Sequence, residues 1–215
     1  MTSTGQARRR YDSSGRRAQA DAARERILDA ARTLFLQHGF AGTSVAAIAA
    51  AAGVSAPTVF SGFGSKVALL QRCVETALVG DDEPVPLHER PGMQHVHAGA
   101  TAEEVVSRLA TLIATTGHEV SPIAAVMYAA ADADPAIAEL ADTLDGHRLT
   151  GATRIATTLL ERLGTVDPDR LAHVRDSVWT FTSPQLWTLL VTQRGWSPER
   201  YGEWVRTALL ALVAA

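Results

Sequence analysis

The sequence predicts an all-α protein of about nine helices. Three observations lead there. Apolar residues recur at three- and four-residue spacing in one segment after another, and no segment alternates apolar and polar residues with period two. Serine, threonine or aspartate stands before many of these segments, and glycine or proline punctuates their ends, as helix caps and stops do.

The elements follow in order. Residues 1–19, rich in Arg, Ser, Gly and Gln, have no apolar period and are expected to form a flexible basic arm. From Asp21 a helix begins, with Ile27, Leu28, Ala31, Leu34 and Phe35 on one face and Arg24, Glu25, Arg32 and Gln37 on the other; Gly39 is its expected stop. Thr43 is expected to cap an alanine-rich helix that ends at Gly53. Ser55 caps another through Phe60, with Pro57 tolerated in its first turn because amides there lack intrahelical partners. Two short helices joined across a glycine have the arrangement of a helix-turn-helix. Ser65 opens a fourth helix to about Leu78.

Residues 81–100 hold Pro84, Pro86 and Pro91 with three histidines and are expected to be a loop. A helix then starts at Thr101, carrying Val105, Val106, Leu109, Leu112 and Ile113, and Pro122 opens the next, to about Ala133. A long helix spans Pro135 to Leu163; Asp167-Pro168 opens one to about Gln193, kinked at Ser183-Pro184, and Ser197-Pro198 opens the last. The expected division is an arm (1–19), a helix-turn-helix domain (20–66) and a larger C-terminal domain (67–215).

With 215 residues, 47% hydrophobic and 20% charged, the composition is that of a globular protein. No apolar run approaches the roughly 20 residues needed to cross a bilayer, and no apolar stretch follows the basic start, so a cytoplasmic location is expected. Cys73 is the sole cysteine, which excludes an intrachain disulfide. The net charge of −3 is unevenly spread: residues 1–75 carry +5 and the remainder −8. Positive charge gathered at one end is the footprint of a nucleic-acid-binding module. There is no glycine-rich phosphate loop, paired-cysteine metal motif or nucleophile elbow, so neither an enzyme nor a cofactor or metal is expected. His88, His95 and His97 lie in the expected loop and are read as solvated rather than as metal ligands.

Thr43, Ile48-Ala49, Ala52-Gly53-Val54-Ser55, Thr58, Phe60, Phe63 and Lys66 stand in an order and spacing that resembles the TetR family of transcriptional regulators, with no insertion. The resemblance implies a DNA-binding surface made of Thr43, Ser55, Ala56, Pro57, Thr58, Phe60, Ser61 and Lys66, the last on a backbone phosphate. It also implies a dimer through the last two helices, double-stranded operator DNA as partner, and a small-molecule effector of unknown identity. Repression relieved by ligand is expected, though ligand-strengthened binding stays open. The chain departs from the family at Phe60, where a tyrosine is usual, and in a second helix without basic residues. No side chain of the recognition helix can make the bidentate arginine–guanine contact, so thymine methyls, backbone geometry and DNA shape are expected to carry specificity. Arg8, Arg9, Arg10, Arg16 and Arg17 either enter a flanking minor groove or remain a solvated tail.

For the ligand region, Met127, Tyr128, His147 and Trp179 are the candidates, set among small residues that either leave a cavity or bring helices close. All four tryptophans fall in the last 37 residues, and several are expected at the dimer interface rather than in the core. The competing function is a helical ligand-binding protein or enzyme that kept a vestigial helix-turn-helix.

Overall fold

The computed structural model describes residues 13–80, 85–165 and 167–214, and among these every regular element is helical. The helices are α1 (Ser13–Gly42), α2 (Val45–Ala52), α3 (Ala56–Phe63), α4 (Lys66–Val79), α5 (Pro91–His97), α6 (Ala102–Ala131), α7 (Pro135–Arg162), α8 (Pro168–Phe181), α9 (Pro184–Trp187) and α10 (Pro198–Ala214). Most starts are where the caps predict them. Ser55, Ser65, Thr101, Asp167 and Ser197 each accept a hydrogen bond from a backbone N–H three residues on, and Ser183, expected only at a kink, does the same. At α6 the cap is reciprocal, because Glu104 Oε2 also accepts from the Ala100 amide at 2.9 Å.

Four boundaries differ from expectation. α1 begins at Ser13, so residues 13–19 are helical rather than arm; it breaks at Gly39, whose φ of 67° leaves the helical region. The second helix is capped by Ser44, whose Oγ accepts from the Ala47 amide, and not by Thr43. The expected loop contains a 3₁₀ turn (Leu87–Glu89) and α5. Most telling, α6 continues through Pro122 for 30 residues. A proline inside a helix costs about 3 kcal/mol. Here its ring faces solvent, while Leu109, Ala110, Gly117, Ser121, Ala124 and Met127 keep one buried stripe in phase across it. The burial outweighs the lost hydrogen bond. At Pro184 the opposite holds: α8 ends at Phe181, α9 restarts from the Ser183 cap, and Thr188–Gln193 continues as a wider π turn.

Two hydrophobic cores result. The first joins Ile27, Phe35 and Phe40 of α1, Ile48 and Ala52 of α2, Val59 and Phe63 of α3, and Leu69, Leu70 and Cys73 of α4 to Ile123 and Met127 of α6 and Ile137 and Leu140 of α7. The second joins Val105 and Leu109 of α6 and Ile155 and Leu159 of α7 to Val174, Trp187, Tyr201 and Leu209. Thus α6 and α7 run through both. A side-chain link adds to this: Arg32 of α1 is paired with the Glu119 carboxylate of α6. Burial pushes the Cys73 thiol up to about 12, which keeps it protonated and inert.

Candidate nucleic-acid interface

The N-terminal helices build the site from short-range signals. Gly53, in the left-handed region (φ 67°, ψ 35°), turns the chain between α2 and α3, and its amide closes α2. The two helices cross at 103°, within the range of DNA-binding helix-turn-helix units. Ile48, Ala49, Ala52, Val59 and Phe63 are buried beneath them. That leaves Pro57, Thr58, Phe60, Ser61 and Gly62 facing outward from α3, with Ala56 half-buried at its start. Phe60 is 51% exposed, whereas Phe35, Phe40 and Phe63 are buried.

Polar groups around α3 are held by the protein itself. Ser55 Oγ accepts the Thr58 amide and lies 2.8 Å from Thr58 Oγ1. From α1, Arg24 donates to the Gly62 carbonyl and stacks 4.4 Å from the centre of the Phe63 ring, and Arg26 donates to the Ala52 carbonyl at 3.3 Å. Both guanidiniums thus sit at helix C-termini, where free carbonyls and the negative dipole end favour a cation. Sequence reasoning put Arg24 on a solvent face and gave Arg26 no role. Their partners lie 38 and 26 residues away, and no local pattern reveals such pairings.

Two expected contact residues turn inward. Thr43 is 3% exposed, and its hydroxyl serves the Leu34 and Gly39 carbonyls, so it cannot present that oxygen to DNA. Lys66 is half-buried: its ammonium donates to the Phe40 carbonyl at 2.8 Å and the Thr43 carbonyl at 3.0 Å, 4.0 Å from the centre of the Phe40 ring. Two of its three donors are occupied, and the lysine ties α4 to the turn between α1 and α2. Of the arm arginines, Arg17 is exposed on α1, Arg16 belongs to the same helix, and Arg8, Arg9 and Arg10 lie outside the described residues.

The ligand candidates fall into three settings. Met127 is 1% exposed inside the first core. Tyr128 and Trp179 share a half-buried polar network: Tyr128 donates to Asp145 at 2.8 Å, Arg148 pairs with the same carboxylate oxygen, and Arg148 Nη2 donates to the Trp179 carbonyl. Burial, then the Asp145 contact, push the Tyr128 hydroxyl up to about 12. Trp179 Nε1 is buried there without a partner. His147 is exposed and takes no part. Two shallow grooves of about 290 and 340 Å³ lie elsewhere, along α6 against α5 and α10, sharing Ser107, Thr111 and Thr115.

The aromatic cluster at the C-terminus is largely internal. Trp187 and Tyr201 are buried edge to face, and Trp204 meets Phe181, Trp196 and Tyr201 within the same protomer. Their side chains are therefore core or half-core groups before any partner is considered.

Residues 27–73 match the family model described as bacterial regulatory proteins, tetR family. No curated protein sequence matches the chain. Among solved structures, the TetR-family transcriptional regulator PfmR from Thermus thermophilus is similar at 22% identity and TM-score 0.56, over 88% of this chain and 97% of that one. NalD of Pseudomonas aeruginosa, the secondary repressor of the MexAB-OprM multidrug efflux pump, is similar at 17% identity and TM-score 0.62, over 90% and 96%. The transcriptional regulator FadR from Bacillus subtilis, in complex with stearoyl-CoA, is similar at 15% identity and TM-score 0.59, over 86% and 97%. The N-terminal segment of this chain is thus a helix-turn-helix domain of the tetR-family regulatory proteins, carried on the all-helical fold those regulators share.

Proposed function

We propose that the chain is a cytoplasmic transcriptional repressor that binds a near-palindromic operator as a homodimer and is released by a small-molecule ligand. The first hydrophobic core carries this reading. It packs α1 and α4, on which α2 and α3 rest, against α6, and α4 against α7; α6 and α7 also build the second core, so a shift of either long helix reaches α3 through α1 and α4. A ligand that favours one position of α6 then changes the spacing of two recognition helices, with a coupling of typically about 1–3 kcal/mol. The stearoyl-CoA complex of FadR supports a small-molecule effector for a body of this shape. The Tyr128–Asp145–Arg148–Trp179 network is the proposed polar edge of the ligand region.

Selection of bound fragments from genomic DNA tests the reading. Recovery of a discrete near-palindromic sequence is expected, whereas capture of no fragment would favour a ligand-binding protein or enzyme with a vestigial helix-turn-helix.

The dimer is proposed to form through the last two long segments, α8 with α9 and then α10. Thr207 and Ala211 are exposed along α10. Because neither is buried in the protomer, Ala211→Glu leaves the fold intact but places a charge in the seam. It should shift size-exclusion elution toward monomer and abolish operator binding; a fully dimeric variant argues against this seam.

The arm supplies a separate test. Deleting residues 1–12 removes Arg8, Arg9 and Arg10 without cutting into α1. If they lie along DNA, the log–log salt slope falls by about 0.9 for each phosphate left without its arginine, up to about five per dimer. An unchanged slope across four salt concentrations shows the arm to be a solvated tail.

A further inference from the structure

We propose that Phe60 is a specificity-determining residue that reads the C5 methyl groups of thymines in the major groove; the inference rests on the DNA-binding reading above. The helix Ala56–Phe63 contains no charged or amide side chain at all. Its hydroxyl at Thr58 is engaged with Ser55, and the nearest cations, Arg24 and Lys66, are engaged with backbone carbonyls. Apart from the short Ser61 hydroxyl, what α3 offers outward is therefore mainly apolar, and its largest feature is the Phe60 ring.

At 51%, that ring is the most exposed of the large hydrophobic side chains among the described residues. The other phenylalanines of the N-terminal domain fill its core, and Phe60 alone stands on the surface. Gly62, two residues on, adds no side chain to the exposed surface of α3, and the space a Cβ would occupy there is open. The Phe60 ring itself is half exposed. It lacks a hydroxyl and cannot hydrogen-bond to a phosphate or a base edge. Among the major-groove features of the four base pairs, the thymine methyl is the one an apolar ring recognises. Removing a methyl from such a contact costs about fourfold in affinity, and two half-sites roughly double that effect on the logarithmic scale.

Deoxyuridine is the probe, because it pairs like thymidine and lacks only the methyl. A fragment captured by the wild-type chain is synthesised with thymidine and with deoxyuridine, and both are titrated by fluorescence anisotropy at one salt concentration. The expected result is a loss of roughly tenfold or more for the uracil duplex with wild type. The penalty should vanish in Phe60→Ala and persist in part in Phe60→Leu, whose side chain is still apolar. Melting curves of both variants, mutated at an exposed position, should match wild type. Equal affinity for the two duplexes overturns the proposal, as does a full penalty in Phe60→Ala, which would assign the methyl contact to another side chain. Failure of the wild type to capture any fragment removes the DNA-binding reading itself and is recognised before either duplex is made.

Discussion

Lys66→Ala should lower the melting temperature of the DNA-free protein by about 4–8 °C, corresponding to about 2 kcal/mol. The ammonium bridges the Phe40 and Thr43 carbonyls, and its stem covers the Phe40 ring. A hydrogen bond from a charged donor is worth about 1.5–3 kcal/mol. Water reaches this half-buried site and recovers part of that when the donor is removed. Lys66→Met separates the two contributions, since it keeps an apolar stem on the ring while removing the donors. It should be destabilised by less than the alanine variant. Operator and random DNA should lose affinity in the same proportion, because the damage is to the seating of α2 and α4 rather than to a base contact. The slope of affinity against salt distinguishes this from a phosphate role. A structural lysine leaves the slope unchanged, whereas removing one phosphate-bound cation from each protomer lowers it by about 1.8. An unshifted melting curve with a reduced slope would return Lys66 to the DNA surface.

Gly117→Ala should destabilise the body by about 2–3 kcal/mol, although the same exchange in an exposed helix stabilises by about 1 kcal/mol. Gly117 lies in the middle of α6, against the flat face of Trp187. A Cβ built there falls 2.4 Å from two carbons of the indole, far inside van der Waals contact. Trp187 cannot swing away easily: it is buried, and Tyr201 stands edge-on to it with ring centres 5.1 Å apart. Tyr201 is itself held by its hydroxyl on the Phe181 carbonyl. Trp187→Leu should cost about 3 kcal/mol for the volume it removes. The double variant is the decisive measurement. With the indole gone, the alanine methyl fills part of the space, so the two costs should add to clearly less than their sum. Urea unfolding midpoints of the four proteins give the coupling; strict additivity would show that Gly117 is not shaped by Trp187.

Much of the fold was legible because it is written in local chemistry. Ser55, Ser65, Thr101, Asp167 and Ser197 cap helices through bonds to an amide three residues on, so a short window of sequence contains both partners. Gly39 and Gly53 mark turns by adopting φ of 67°, which a side chain disfavours. The apolar stripe of α7 placed it to within a residue at its C-terminal end. The misplacement of the second helix's cap by one residue, from Ser44 to Thr43, shows the limit of that window. Both adjacent hydroxyl residues are able to cap, and only the fold decides which one is buried.

The rest depended on partners remote in sequence. By itself the sequence determined that the protein is all-helical, that it opens with a helix-turn-helix of the tetR type, and that this unit's exposed helix carries no charge. The tertiary structure alone decided that Lys66 and Thr43 face inward, that Arg24 and Arg26 brace α2 and α3, and that α6 runs unbroken past Pro122. It also decided that Trp187 lies on Gly117, 70 residues away in the chain. The physical reason is common to all of these. Caps, turns and periodicity are set by neighbours along the backbone, whereas the direction a long side chain takes, or a proline's cost in a helix, is settled by whichever surface folding brings against it.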